Sequence, residues 1–276
     1  LKKDYNKKIN LINNFFSFKL SKEIKDKYKK FDLIIARNVI AHLNNPNDTF
    51  KGVQNIMDIN GIFVIEVPYL LYFYKENQYD NVFHEHNGFH SIKSIDDLCV
   101  ANNLKLYDVS IVPSQGGSIR CFISKIKKNK TKNLLKYLQI EKLKKIYQIS
   151  SWKNFSKLVY KHKDKMHNII YDLNQKGKSV SIYGASGKGQ VFLQFCNLDN
   201  KLIKKAYDKN KSKIGKYTPG TYIKIYDPKN IILDNPDYLL LTSWNIKEEI
   251  IKQEYRYIKS GGKIIIPFPK PKILNL

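Results

Sequence analysis

Residues 31–37, FDLIIAR, form a near-continuous apolar run after a lysine-rich stretch, the pattern of a parallel strand buried on both faces. Asn45, Pro46, Asn47 and Asp48 supply turn and cap chemistry, and Phe50, Val53, Ile56 and Met57 recur behind them at helical spacing. Asn60 and Gly61 are expected to end that helix. A second buried strand, GIFVIEVP over 61–68, follows and stops at Pro68. Strand, helix and strand in this order predict an α/β sheet joined by crossover connections. After an aromatic and polar stretch from Tyr69 to His90, residues 92–103 read as a helix. Two strand-like segments come next, LKLYDVSIV and SIRCFISK, and the PSQGG turn at 113–117 joins them as a hairpin at the edge of the sheet.

Lysine and leucine dominate 126–150, which reads as a helical linker. The α/β pattern then restarts, with a helix over about 152–175, the strand SVSIYG at 179–184, a glycine-rich turn and a helix from Gly187 to Cys196. KKAYD at 204–208, DYLLLTS at 237–243, a helix over 246–258 and KIIIPFP at 263–269 complete a second doubly wound unit. The expected organisation is a domain over 1–126, a linker over 127–150 and a second domain over 151–276.

Composition narrows the function classes. The chain has 276 residues, 42% of them hydrophobic, which suffices for two domains of ordinary size. No stretch approaches the roughly 18 to 20 apolar residues of a membrane span. LKKDYNKKIN lacks a signal-peptide run, so a soluble cytoplasmic protein without a membrane partner is expected. The net charge of +25 raises the question of a polyanion partner. Arg37, Arg120 and Arg256 are its only arginines, and lysine supplies 46 of the 49 basic residues. Specific readers of phosphate or bases lean on bidentate arginine, so a solvated lysine surface and no specific nucleic-acid partner are expected. Cys99, Cys121 and Cys196 are widely spaced, which points to reduced structural thiols.

The densest chemistry lies in FHEHNGFH, 83–90, where His84, Glu85, His86 and His90 crowd together. In an extended segment His84 and His86 point to one side and Glu85 to the other, so sharing one site requires a bend, which Asn87 and Gly88 could supply. His86 is the preferred base, because an imidazole titrates near working pH. A zinc or iron site is the sharper rival, but its remaining ligands are not evident and no metal is expected. The second candidate is GASGKG, 184–189, between an apolar strand and a helix. Its backbone N–H groups could approach a phosphate, with Lys188 adding a charge. Asp208, 19 residues beyond Gly189, is placed like the acidic ribose partner of dinucleotide folds.

Together these segments resemble one family, the sugar C-methyltransferases that methylate carbon 3 of nucleotide-linked 4-keto-6-deoxyhexoses. The resemblance runs through ARNVIAHLNNPNDTF, GIFVIEVPYLL, FHEHNGFHS, VPSQGGSIRCF, YGASGKG, YTPGTYI, TSWN and GGKIIIPFPKP, in order, across nearly the whole chain from Asn13. It implies a partial class I methyltransferase Rossmann-like domain followed by a second Rossmann-like α/β domain. The family's zinc-binding domain and first cofactor glycine loop are not in these residues. The chain begins at Leu1, and it is expected to enter just before the third strand of the central domain and to be inactive alone.

The cofactor implied by the resemblance is S-adenosyl-L-methionine, held by Asn14 and Phe15 beside the adenine and by the Ala36, Arg37, Asn38 turn. His86 falls at the family's proposed base, and Glu85 and His42 at its active-site partners. Phe83 stands where the family has tyrosine, so any hydroxyl role there is lost or moved to another residue. The nucleotide-sugar substrate is expected to meet His84, Gly184, Ser186, Lys188 and Trp244. Two other readings stay open: an NAD(P)-dependent reductase built on GASGKG and Asp208, and a basic non-enzymatic binding module. The sugar, the nucleotide, the methylated carbon and the oligomeric state are not legible.

Overall fold

The computed structural model describes residues 9–274, so the expectations attached to Leu1 fall outside the described residues. The chain order is α1 (Phe18–Tyr28), β1 (Phe31–Arg37), α2 (Pro46–Ile56), β2 (Met57–Pro68), α3 (Leu70–Lys75), α4 (Ile92–Ala101), β3 (Lys105–Val112) and β4 (Ser118–Ser124). Then come α5 (Lys132–Leu143), α6 (Ile149–Gln175), β5 (Val180–Tyr183), α7 (Gly187–Phe195), β6 (Lys205–Tyr207), β7 (Lys224–Tyr226) and α8 (Ile231–Asp234). β8 (Tyr238–Leu241), α9 (Lys247–Gln253), α10 (Tyr255–Lys259), β9 (Lys263–Ile266) and β10 (Lys272–Leu274) end the chain. The architecture is α/β, built as two compact units interleaved in sequence. The first comprises 1–67, 92–110 and 119–138, and the second 68–91, 111–118 and 139–276.

In the first unit the strands run in the order β1-β2-β4-β3. Asn45 caps α2, its side chain accepting from Asp48 N, and Pro46 sits in the first turn where no amide partner is lost. The helix closes at Ile56, earlier than Asn60 and Gly61 suggested, because β2 starts at Met57. β1 and β2 pair in parallel, Phe31 with Met57 and then Leu33 with Ile62, so the extra residues lie in an irregularity that contains Gly61. A Cβ there would lie 2.7 Å from the Phe31 carbonyl oxygen. β1 is not buried on both faces as its apolar run predicted. Among the described residues it is an edge strand, with Leu33 56% and Ile35 65% exposed, beside an apolar hollow of about 340 Å³ that also includes Ile12 and Ile24.

The second unit is a six-stranded sheet in the order β10-β9-β8-β5-β6-β7. β5 to β9 are mutually parallel and β10 is antiparallel to β9. Alternate residues supply two cores: Val180, Ile182 and Leu240 on one face, Tyr183, Leu239 and Leu241 on the other. This is why these runs read as continuously apolar. α6 lays Phe155, Val159, His162, Met166 and Ile170 against the first core, one stripe at helical spacing. The single helix expected over 246–258 is two, α9 and α10, and β7 and β10 were not foreseen. Three-residue strands are too short to show a period.

Candidate active site

The histidine block belongs to the second unit and is not extended. His86 N donates to Phe83 O at 2.9 Å, so the bend falls at 83–86, ahead of Asn87 and Gly88. The turn leaves the His84 side chain 89% and Glu85 61% exposed, with His84 Nε2 3.9 Å from Glu85 Oε1. His86 is half-buried under Phe83, whose ring centroid is 4.2 Å away. Phe83 therefore gives an apolar wall where a tyrosine would add a hydroxyl. His86 Nδ1 lies 2.8 Å from Asn81 O. A carbonyl can only accept, so Nδ1 carries the proton and Nε2 is the basic nitrogen of the neutral ring.

Sequence reasoning missed the segment that seats this imidazole. Residues 78–81 are polar or amphipathic and 5% exposed or less, which is unusual for a loop between an aromatic helix and a histidine block. Each is tied down within the second unit. Gln78 Nε2 donates to Gly116 O at 2.6 Å, and Tyr79 OH reaches His162 Nδ1 at 2.9 Å. His162 Nε2 faces Pro267 O at 2.7 Å, so that nitrogen bears the proton and Tyr79 donates. Asn81 Nδ2 donates to Gln78 Oε1 at 3.1 Å. Trp244 Nε1 donates to Asp80 Oδ2 at 2.8 Å, while Asp80 Oδ1 is buried with no partner among the described residues. Trp244, a residue the sequence points to, thus meets an acid that it does not. Periodicity holds no trace of this turn; only its polar run, NQYDN, set among aromatics, hinted at one.

Burial pushes the Asp80 carboxyl up to about 6, against the pull of the Trp244 N–H and the Lys188 charge. Lys188 is lowered by the same burial and partly restored by Asp80. The consequence for stability has a definite sign. Between its unfolded value of 3.8 and about 6, the folded state binds more protons at Asp80 than the unfolded chain does, so stability falls as pH rises through that window. Asp80→Asn is therefore expected to melt higher than wild type at pH 7.5, with the advantage shrinking as pH falls toward 4. Thermal melts of both proteins across that range measure it; an advantage independent of pH would assign the effect to packing.

The glycine loop follows β5 at the point where the strand order turns back, β6 lying on one side of β5 and β8 on the other. Gly184 has φ +99°, and a Cβ there would lie 2.1 Å from Ser243 Oγ. Gly189 is also close packed though less so, 2.9 Å from Thr242 Cβ, whereas nothing lies within 4 Å of a Cβ at Gly187. Two glycines therefore serve the approach of the β5 and β8 loops, and the third faces open space. The Ser186 hydroxyl caps α7 by accepting from Gly189 N at 3.2 Å. Lys188 Nζ lies 3.4 Å from Gln115 O, and a Cβ on Gly116 would meet the Trp244 ring at 2.7 Å. The PSQGG turn thus covers the same spot. Asp208 is engaged elsewhere: Oδ2 accepts from Ala185 N at 2.8 Å and Lys213 Nζ at 3.0 Å, and Oδ1 from Asn210 N at 2.8 Å. Burial would raise this carboxyl, but those donors hold it below its ordinary value. It braces the loop from within.

The first unit holds the remaining candidates. His42 ends a 3-10 turn, exposed. Asn14 Oδ1 accepts from Phe15 N at 2.9 Å, and the Phe15 side chain is almost bare at 91% exposure. Ala36, Arg37 and Asn38 close β1; Asn38 adopts φ +53°, donates its N–H to Glu66 O at 2.8 Å, and keeps a buried Oδ1 with no partner among the described residues. Among the described residues no three of His, Cys, Asp and Glu are grouped to hold a metal ion, and no helix is long and apolar enough to cross a membrane. A cavity of about 490 Å³ in the second unit, edged by Lys75, Lys161, Lys165 and Lys270, contains none of the candidate residues.

An α/β sheet with a glycine loop at its reversal point and an imidazole presented on a pinned turn defines the class of fold, and comparison with known proteins narrows it. Residues 113–269 match the family described as C-methyltransferase C-terminal domain, and 4–109 match a methyltransferase domain. The chain belongs to the C-methyltransferase family. The C-methyltransferase NovU of Streptomyces niveus is 29% identical over 262 residues, 94% of this chain and 62% of that protein, so this chain spans under two thirds of its relative. Among solved structures, magnesium protoporphyrin IX methyltransferase of Synechocystis aligns over 35% of this chain and 46% of its own, at 12% identity and TM-score 0.29. An S-adenosylmethionine-dependent methyltransferase of Clostridium acetobutylicum aligns over 34% and 58%, at 13% identity and TM-score 0.28.

Proposed function

We propose that this protein works in the transfer of a methyl group from S-adenosyl-L-methionine to carbon 3 of a nucleotide-linked 4-keto-6-deoxy sugar, with His86 as the base. The observation that carries the reading is the hydrogen bond from His86 Nδ1 to Asn81 O, which leaves the lone pair on Nε2. A ketone acidifies the neighbouring C–H, and removal of that proton yields an enolate whose carbon is the nucleophile. Glu85, as an anion, orients the imidazole, and the His42 ring steadies the developing oxyanion. His84, Gly184, Ser186, Lys188 and Trp244 hold the nucleotide sugar. Lys188 brings positive charge, and Trp244 an indole face whose N–H is already anchored on Asp80.

The cofactor supplies an electrophilic methyl group when bound. The residues in the first unit suit it: Asn38 has an acceptor oxygen buried without a partner among the described residues, and Phe15 an exposed ring for an adenine to stack on. Asn14 and the backbone of the Ala36–Asn38 turn complete this flank.

The test is to incubate the full gene product with the keto sugar nucleotide in heavy water, with and without the methyl donor. Deuterium is expected at carbon 3 without donor, and with it a methyl group in place of that hydrogen, a net mass gain of one CH2. A sugar that neither exchanges nor gains mass, in protein shown to be folded, rules the reaction out.

A further inference from the structure

Only three arginines occur among the 49 basic residues, and two of them meet on one buried carboxylate. Arg37 ends β1 and lies in register with Glu66 on β2; Arg120 comes from β4, on the other side of β2. Arg37 Nε donates to Glu66 Oε1 at 3.2 Å. Arg120 donates to Oε2 through Nε at 3.2 Å and Nη2 at 2.8 Å. The Glu66 side chain is 5% exposed, those of Arg37 and Arg120 66% and 42%. Burial would raise the Glu66 carboxyl, but Arg120 and then Arg37 hold it below its ordinary value, so it is ionised at neutral pH. The cluster therefore carries one net positive charge.

One cation neutralises one carboxylate; the second is in excess of what burial of Glu66 demands. Lysine would bring the same charge, and this chain chooses lysine at 46 of its 49 basic positions. A guanidinium differs in its planar fork, which donates two parallel hydrogen bonds to an oxyanion. Arg37 engages Glu66 through Nε alone, so its two terminal nitrogens stay outside the pair among the described residues. The location suits a ligand, since β1 and β2 are parallel and Arg37 and Glu66 stand at their carboxyl ends.

We infer that Arg37 and Arg120, drawn together and oriented by Glu66, form a fork for the diphosphate of the nucleotide-linked substrate, an inference that rests on the proposed reaction. The two arginines spring from strands on either side of Glu66, and their guanidinium groups converge on its two oxygens, which sets the N–H groups not spent on Glu66 side by side. Donors so placed suit two adjacent phosphates better than a single carboxylate. Arg37 gives its backbone to the cofactor turn and its side chain to the fork, and Glu66 is a positioning residue.

Calorimetric titration of the 276-residue chain with inorganic pyrophosphate tests this without any methyl transfer. Saturable binding is expected, weakened about tenfold in Arg37→Lys although the charge is kept, and changed by less than about twofold in Lys144→Gln, an exposed control. Arg37 is exposed enough that its replacement leaves the fold intact; Arg120→Lys, read beside a thermal melt, is expected to weaken binding similarly. No saturable uptake, an Arg37→Lys protein that binds as well as wild type, or uptake of S-adenosylhomocysteine but not pyrophosphate each overturns the fork. Pyrophosphate binding of the expected pattern in a protein that methylates no sugar would keep the fork and remove the reaction.

Discussion

Replacing His86 with alanine is expected to lower kcat for methyl transfer by about 10²- to 10⁴-fold, the usual contribution of a positioned acid–base group. The melting temperature should stay within about 2 °C, because the ring is half-buried and lies on a turn whose own anchors are Gln78, Tyr79 and Asp80. Steady-state kinetics at saturating substrate, with a melt on the same sample, read both quantities. Carbon–hydrogen exchange in heavy water should fall in parallel, since it isolates the proton-transfer step. A variant that turns over at the wild-type rate would move the base elsewhere, and Glu85 would be the next residue to replace.

The second large effect is on stability. Gly184→Ala is expected to destabilise the protein by about 3 kcal/mol, combining the strain of a side chain at positive φ with overpacking against Ser243. Rotation of the Ser243 hydroxyl would relieve the 2.1 Å approach to its Oγ, but φ stays at +99°, the added carbon remains 3.0 Å from Ser243 Cβ, and Gly184 N is fixed on Tyr207 O at 2.8 Å. The Thr242 hydroxyl grips the Gly184 carbonyl as well. For a domain of this size the loss corresponds to a drop of about 6 to 12 °C in Tm, measurable by calorimetry. Gly187→Ala, three residues on, should leave Tm unchanged or slightly raised, since its surroundings are open and alanine is the better helix former. If the open side of the loop receives the nucleotide sugar, that same variant raises KM. Equal melting temperatures for the two variants would mean that the β5 and β8 loops do not meet as closely as described.

Much of the architecture was legible because its buried strands are chemically loud. SVSIYG, DYLLLTS and KIIIPFP read as apolar runs because β5, β8 and β9 have cores on both faces, and Asn45 with Pro46 marked the start of α2. FDLIIAR has the same local signature, yet among the described residues β1 is an open edge with Leu33 and Ile35 exposed. A run of side chains states what a strand can bury and is silent on which neighbours it has. β7 and β10 escaped for a different reason: at three residues each, they exist through pairing with β6 and β9.

The amino-acid sequence by itself determined the α/β class, the clustering of histidines at 84, 86 and 90, the glycine loop, and the run of motifs that marks the family. These are local properties, carried by residue type and short spacing. Only the tertiary structure decided that Asp80 receives the Trp244 indole, that the Asn81 carbonyl selects the tautomer of His86, that Asp208 is occupied, and that Arg37 and Arg120 share Glu66. Trp244 is far along the chain from Asp80, and Arg120 from Glu66. Such pairs form because sheet order and loop packing bring distant groups together, and buried polar atoms must then find partners across that distance. No periodicity records them.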